Sequence, residues 1–186
     1  MPRHAVFALA LAACGTSSDD PIEEPPEGFL VSGSIDIAGA PAGSKLAVIW
    51  EVTSGTDALI KFGDAMPRSG AFMLGLASDP PARAINSHGV AVGVLVLFDG
   101  AATLPPDGAD FDDEALEPHF LGFGDYEEII WRGDGVGEPP EWAPKFPEGY
   151  SCGRCVFAGE DGGHDSFVPT ACELSIVADD NVCNWT

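Results

Sequence analysis

Val90-Ala91-Val92-Gly93-Val94-Leu95-Val96-Leu97-Phe98 is apolar at nearly every position and rich in β-branched side chains, and its reading decides the fold. A strand buried on one face alternates apolar with polar residues, whereas an unbroken apolar run needs cover on both faces; this segment therefore reads as a central strand. Outward from it the period is two. Val31, Gly33, Ile35 and Ile37 alternate with Ser32, Ser34 and Asp36, and Leu46, Val48, Trp50 and Val52 repeat the pattern after the turn-forming Gly39-Ala40-Pro41-Ala42-Gly43. Residues 57–62 and 70–76 supply a third and fourth strand, and Asp79-Pro80-Pro81 forces a break. Residues 126–131, 150–157 and 172–178 complete the set of strands, while the best helical candidate, 110–117, is short. Many short strands punctuated by turns predict an all-β domain, an antiparallel β-sandwich with long acidic and Pro/Gly-rich loops.

Composition narrows the partners. The 186 residues carry 8 Lys and Arg against 30 Asp and Glu, a formal charge of −22. The basic footprint that nucleic acids and anionic lipid surfaces require is missing, so neither is expected as a direct partner. A hydrophobic content of 45% excludes wholesale disorder, and no apolar run reaches the ~18–20 residues of a spanning helix. The 23 Gly and 16 Pro favour turns over long helices.

The N-terminus reads as an address. Met1-Pro2-Arg3-His4 gives a basic start, residues 5–13 are apolar, and Cys14 follows small residues, the layout of an export signal. The tetrad Leu11-Ala12-Ala13-Cys14 resembles the lipobox of bacterial lipoproteins. That resemblance implies cleavage before Cys14, acylation of its thiol and amine (palmitate among the chains), and the lipid bilayer as a partner. Gly15 in place of Asp implies the outer membrane. Acyl burial is worth ~0.8 kcal/mol per methylene, enough with several chains to hold a polar domain without a spanning segment. The expected organisation is a signal peptide over 1–13, a lipidated Cys14 with a tether over 14–28, and one sandwich domain over 29–186. The tether carries Asp19, Asp20, Glu23, Glu24 and Glu27 among three prolines, so self-repulsion keeps it extended to at most ~50 Å.

Gly33, Asp36, Gly39, Pro41 and Gly43 ahead of a hydrophobic strand, with Gly70-Ala71-Phe72 further on, resemble the prealbumin-like domains found on surface proteins. The resemblance implies a prealbumin-like or Ig-like Greek-key sandwich. The order of lipobox, acidic tether, sandwich and cysteine-bearing tail is similar to lipoproteins of myxobacterial type, and that similarity carries no known chemistry.

Four cysteines remain after Cys14: Cys152, Cys155, Cys172 and Cys183. An even number in an exported chain predicts two disulfides. Cys152 and Cys155 are separated by an odd interval, so in a strand they face opposite sides and seek different partners, which favours bridges from this pair to Cys172 and Cys183 in either pairing. Cys152-Gly153-Arg154-Cys155 lacks the following helix that a redox pair needs, and with His164 the four thiols have only one tight knuckle for zinc.

Six carboxylates crowd residues 107–117. Of these, Asp107, Asp110, Asp112, Asp113 and Glu114 are the candidate calcium ligands, because flexible hard-oxygen donors suit Ca²⁺; the alternative is a solvated loop. The loop Gly159-Glu160-Asp161-Gly162-Gly163-His164-Asp165 has similar donors. No nucleophile elbow, zinc-protease helix or phosphate loop surrounds His88, His119 or His164, and Ser87-His88 reads as a turn pair. Paired acids such as Asp112 and Glu128 could serve glycoside hydrolysis, but no spacing in the sequence puts any two at a working separation. Trp131, Trp142, Trp185, Tyr126 and Tyr150 either stack on a partner or cap the core. The expectation is a non-catalytic, membrane-anchored surface lipoprotein, a binding or structural module with no cofactor beyond calcium. Its loops around 107–117 and 131–142 would meet a protein or glycan at the cell surface; the alternatives are an envelope hydrolase and a calcium-dependent adhesion module.

Overall fold

The computed structural model of the chain describes residues 27–41, 43–52, 58–65, 70–157 and 166–178. Cys14, the tether up to residue 26, the 158–165 loop, Cys183 and Trp185 lie outside the described residues. The strands are β1 (Phe29–Ile35), β2 (Lys45–Val52), β3 (Ala58–Ala65), β4 (Ala71–Leu76), β5 (Val90–Phe98), β6 (Asp110–Phe111), β7 (Phe120–Arg132), β8 (Gly149–Val156), β9 (Ser166–Thr170) and β10 (Glu173–Val177), with one short helix, α1 (Asp113–Leu116). They hydrogen-bond into one sheet in the order β4-β1-β10-β7-β5-β2-β3-β6, and β8 and β9 branch from β7.

The sheet is mixed rather than antiparallel throughout. β1 and β10 run parallel, with Ser32 to Ile35 in register with Glu173 to Ile176, while the other pairings are antiparallel. A hairpin dictates opposite directions, but β1 and β10 come from opposite ends of the domain, so no tight turn constrains them.

β5 lies between β2 and β7 and is covered on both faces, as its unbroken apolar run requires. Ala91, Leu95 and Leu97 point one way, into an interior shared with Val31, Leu46, Val48, Trp50, Leu74, Ile129 and Ile176. Seven strands contribute to this interior because the sheet curls: a Cβ on Gly63 of β3 would meet Val48 of β2 together with Leu74 and Leu76 of β4. Trp50 is fully buried directly opposite Gly93, where an added Cβ would stand 2.9 Å from the indole. A side chain at 93 and the Trp50 ring exclude one another. The indole N–H is satisfied by the Phe62 carbonyl at 3.2 Å.

The opposite face of β5 is covered twice. Val96 and Phe98, with Ala47 and Ile49 of β2, pack under Ala102, Phe111 and Leu116 of the 99–119 segment. Val90, with Ile130, Cys155 and Phe167, packs under Trp142, Ala143 and Phe146. Each large side chain sealed this way contributes about 2–3 kcal/mol.

β7 is longer than the strand read from residues 126–131, and its extra half explains the branch. On the edge away from β5, Phe123 and Gly124 pair with β10, whereas Glu127 to Arg132 pair with β8. Gly122 allows the close approach, since a Cβ there would meet the Val177 carbonyl at 2.0 Å. Between the two partners Tyr126 adopts φ 55°, a left-handed conformation costing a bulky residue about 1–2 kcal/mol. Its ring meets Phe157 edge-on at 4.7 Å. Glu127 at the fork accepts the Ser175 backbone N–H, and burial pushes its carboxyl above the ordinary range although the Arg154 guanidinium, 3.6 Å away, pulls it down.

A Cys152–Cys172 disulfide ties the two branches together, joining β8 to the residue before β10. The opposite orientation of Cys152 and Cys155 is visible in their surroundings: Cys152 belongs to the interior and Cys155 to the outer cluster under Trp142. Cys155 is disulfide-bonded as well. β9 carries Pro169, which a strand paired only through β8 tolerates.

Candidate functional site

The segment between β5 and β7 is built on Asp99. Its Oδ1 accepts the backbone N–H groups of Ala101 (2.8 Å) and Ala102 (3.0 Å), the signature of an Asx turn. Its own N–H donates to the His119 carbonyl at 2.9 Å, so both ends of the 99–119 excursion meet at one point. Side chains close the same junction, with His119 Nδ1 3.1 Å from each Asp99 carboxylate oxygen. A carboxylate only accepts, so Nδ1 is the donor in this contact; in the neutral form of the ring Nε2 is then the acceptor. Among the described residues Nε2 has no hydrogen-bond partner. The hydrogen bond from His119 holds the Asp99 carboxyl below the usual carboxylate range, with the two turn amides assisting.

Between the 101–106 loop and α1 lies an open cleft of about 450 Å³, onto which His119 opens. Leu104, Pro105 and Pro106 form one wall and Ala115 with Leu116 the other; Thr103, Asp110 and Asp112 supply the polar rim. An aromatic stack lies beneath this segment: Phe98, Phe111 and Phe120 have ring centroids 5.2–6.2 Å apart.

The five carboxylates singled out as calcium ligands do not converge. Asp107 binds Lys61 Nζ at 2.6 Å and accepts the Gly63 N–H at 3.2 Å, docking the turn that lets β6 pair with β3. Asp110 pairs with Arg83 at 2.6 Å. Asp112 caps α1 by accepting from Ala115 N at 3.2 Å, Asp113 accepts from Glu114 N at 3.0 Å, and Glu114 is exposed beside them. Among the described residues no three His, Cys, Asp or Glu side chains are grouped to hold a metal ion.

Other candidates lie elsewhere in the fold. Glu128 is 1% exposed on β7 and takes no part in the cleft that Asp112 lines, so these two acids do not share a site. His88 sits in a turn capped by Asn86, whose Oδ1 accepts the N–H of His88 (2.9 Å) and of Val90 (3.1 Å). Trp142 is buried in the outer cluster. Trp131 packs on the interior and donates to Asp79 at 3.2 Å. Tyr150 packs there too and donates to the Ser78 carbonyl at 2.8 Å, and burial pushes its hydroxyl well above the ordinary phenol range. Asp99 and Lys61 escaped the sequence reading. The Asx-turn signal of Phe98-Asp99-Gly100 is local, whereas pairing with His119 spans 20 residues and leaves no spacing pattern.

No protein-family model matches the chain, and no curated protein or solved structure matches it either.

Proposed function

We propose that the protein is an outer-membrane lipoprotein, acylated at Cys14, whose β domain is a non-catalytic binding module held on an acidic tether, with the cleft beside His119 as its recognition surface. The observation that carries the reading is the Cys152–Cys172 disulfide. Cys152 is 1% exposed within the interior, and a bridge built into a core belongs to a protein that folds in an oxidising compartment. The lipobox resemblance at residues 11–14 supplies the reason for export, and among the described residues no helix is long and apolar enough to cross a membrane. The curl, with its two sides joined through β5 and β7, is read as a sandwich left continuous along one side. Recognition falls to the cleft because Trp131, Trp142 and Tyr150 are already committed to packing. Metabolic labelling with a palmitate analogue tests the anchor. Wild-type protein should label and sediment with membranes, and Cys14→Ser should do neither; an unlabelled wild type that remains soluble overturns the reading.

A further inference from the structure

We propose that the cleft between the 101–106 loop and α1 is a saccharide site, in which His119 Nε2 accepts a sugar hydroxyl and the Leu104-Pro105-Pro106 wall takes the sugar's apolar face. The inference deepens the binding-module reading and rests on it.

Its basis is the inventory of donors and acceptors. Asp99 accepts a hydrogen bond from Nδ1 at 3.1 Å and is itself fixed by two backbone amides, so the neutral ring is held in one tautomer, with Nε2 as its acceptor. The rim carboxylates Asp110 and Asp112 also accept, and the Thr103 hydroxyl can donate or accept. A complementary ligand must therefore bring donors, and either a cation or a polyhydroxyl compound would qualify. The compensation of the carboxylates decides between them. Asp110 is neutralised by Arg83 at 2.6 Å, and Asp112 is occupied by the amide of Ala115. A net cation would have to compete with Arg83 for Asp110, whereas a hydroxyl needs only a lone pair, which each carboxylate retains. The remaining surface is aliphatic and ring-stiffened, suited to the C–H face of a pyranose, and a cleft of about 450 Å³ accommodates a short oligosaccharide.

The test is calorimetric titration of the full, acylated chain in detergent with maltotetraose, cellotetraose and chitotetraose. An arginine-rich peptide and CaCl₂ are titrated in parallel at low and high salt. At least one oligosaccharide is expected to bind, with affinity independent of salt. His119→Asn keeps an N–H donor where Nδ1 stood and deletes Nε2, so it should weaken that binding at least tenfold with an unchanged melting temperature. His119→Gln, which returns an amide near the Nε2 position, should recover part of the loss. The proposal is overturned if none of the three sugars binds, if His119→Asn binds as wild type does, or if only the peptide or Ca²⁺ binds. None of these outcomes touches the acylation of Cys14, so the anchor and the sugar site fail separately.

Discussion

The two covers over the outer face of the sheet solve the same problem by different chemistry. Near residues 140–146, Trp142, Ala143 and Phe146 pack on Val90, Ile130 and Phe167, with the Trp142 ring edge-on to both phenylalanines at 5.3–5.8 Å. The 99–119 segment contributes Ala102, Phe111 and Leu116 to its cluster and is held in addition by the polar ties Asp99–His119, Asp107–Lys61 and Asp110–Arg83. The first is a seal. The second is a strap, and a strap fastened at separate points leaves a cleft between them. Apolar contact is non-directional and closes space, whereas directional polar ties can hold a concavity open.

The contrast is breakable by substitution. Trp142→Ala should cost about 3–5 kcal/mol in urea unfolding, as a large aromatic removed from a closed site; a loss no greater than that of Leu104→Ala in the strap would end the distinction. The Cys152–Cys172 bridge, on the strand that also carries Cys155 of the sealed cluster, closes a loop of 20 residues. Replacing both cysteines by serine should cost about 3 kcal/mol in the same assay. For the strap, Asp107→Ala removes one charge-assisted bond to Lys61, whose side chain is 3% exposed, and one to a backbone amide, and about 2 kcal/mol is expected. Asp112→Ala deletes a single helix cap and should cost about 1 kcal/mol, without loosening the 140–146 seal in proteolysis.

The smallest effect is on pH dependence. The Asp99 carboxyl lies below its ordinary value of 3.8, so its contribution to stability is complete above that value and is lost as pH falls through the lower folded one. Asp99→Asn should therefore flatten the acid limb of a melting-temperature profile below about pH 4. An unchanged acid limb would show that the His119 contact does not persist in solution.

Legibility in the sequence follows the range of the interactions. The two-sided burial of β5 and the alternation of β1 and β4 are local patterns, and they survive into the structure because side-chain period dictates them; β2, read as alternating, is buried on both faces because the 99–119 segment covers Ala47 and Ile49. The first half of β7 was not legible. Phe120-Leu121-Gly122-Phe123-Gly124 lies outside the strand read over 126–131, yet Gly122 within it is what lets β10 approach. β9 was masked by Pro169, a residue that an edge position excuses. The parallel β1–β10 pair and the Asp99–His119 contact join residues far apart in the chain, which no spacing rule encodes. Carboxylate density between 107 and 117 was visible; that Asp107, Asp110, Asp112 and Asp113 are fastened one by one to Lys61, Arg83 and backbone amides is a property of the fold.

Amide hydrogen exchange on the intact chain tests the difference between seal and strap most directly. The amides of Ala143, Lys145 and Phe146 donate to the carbonyls of Pro140, Trp142 and Ala143 in the segment that carries the buried Trp142 and Phe146, whereas those of Ala101, Glu114 and Ala115 donate to the side-chain carboxylates of Asp99, Asp113 and Asp112. The first set should exchange at least about tenfold more slowly, since protection follows burial of the opened segment. Equal rates in the two sets, or slower exchange in the strap, would contradict the account.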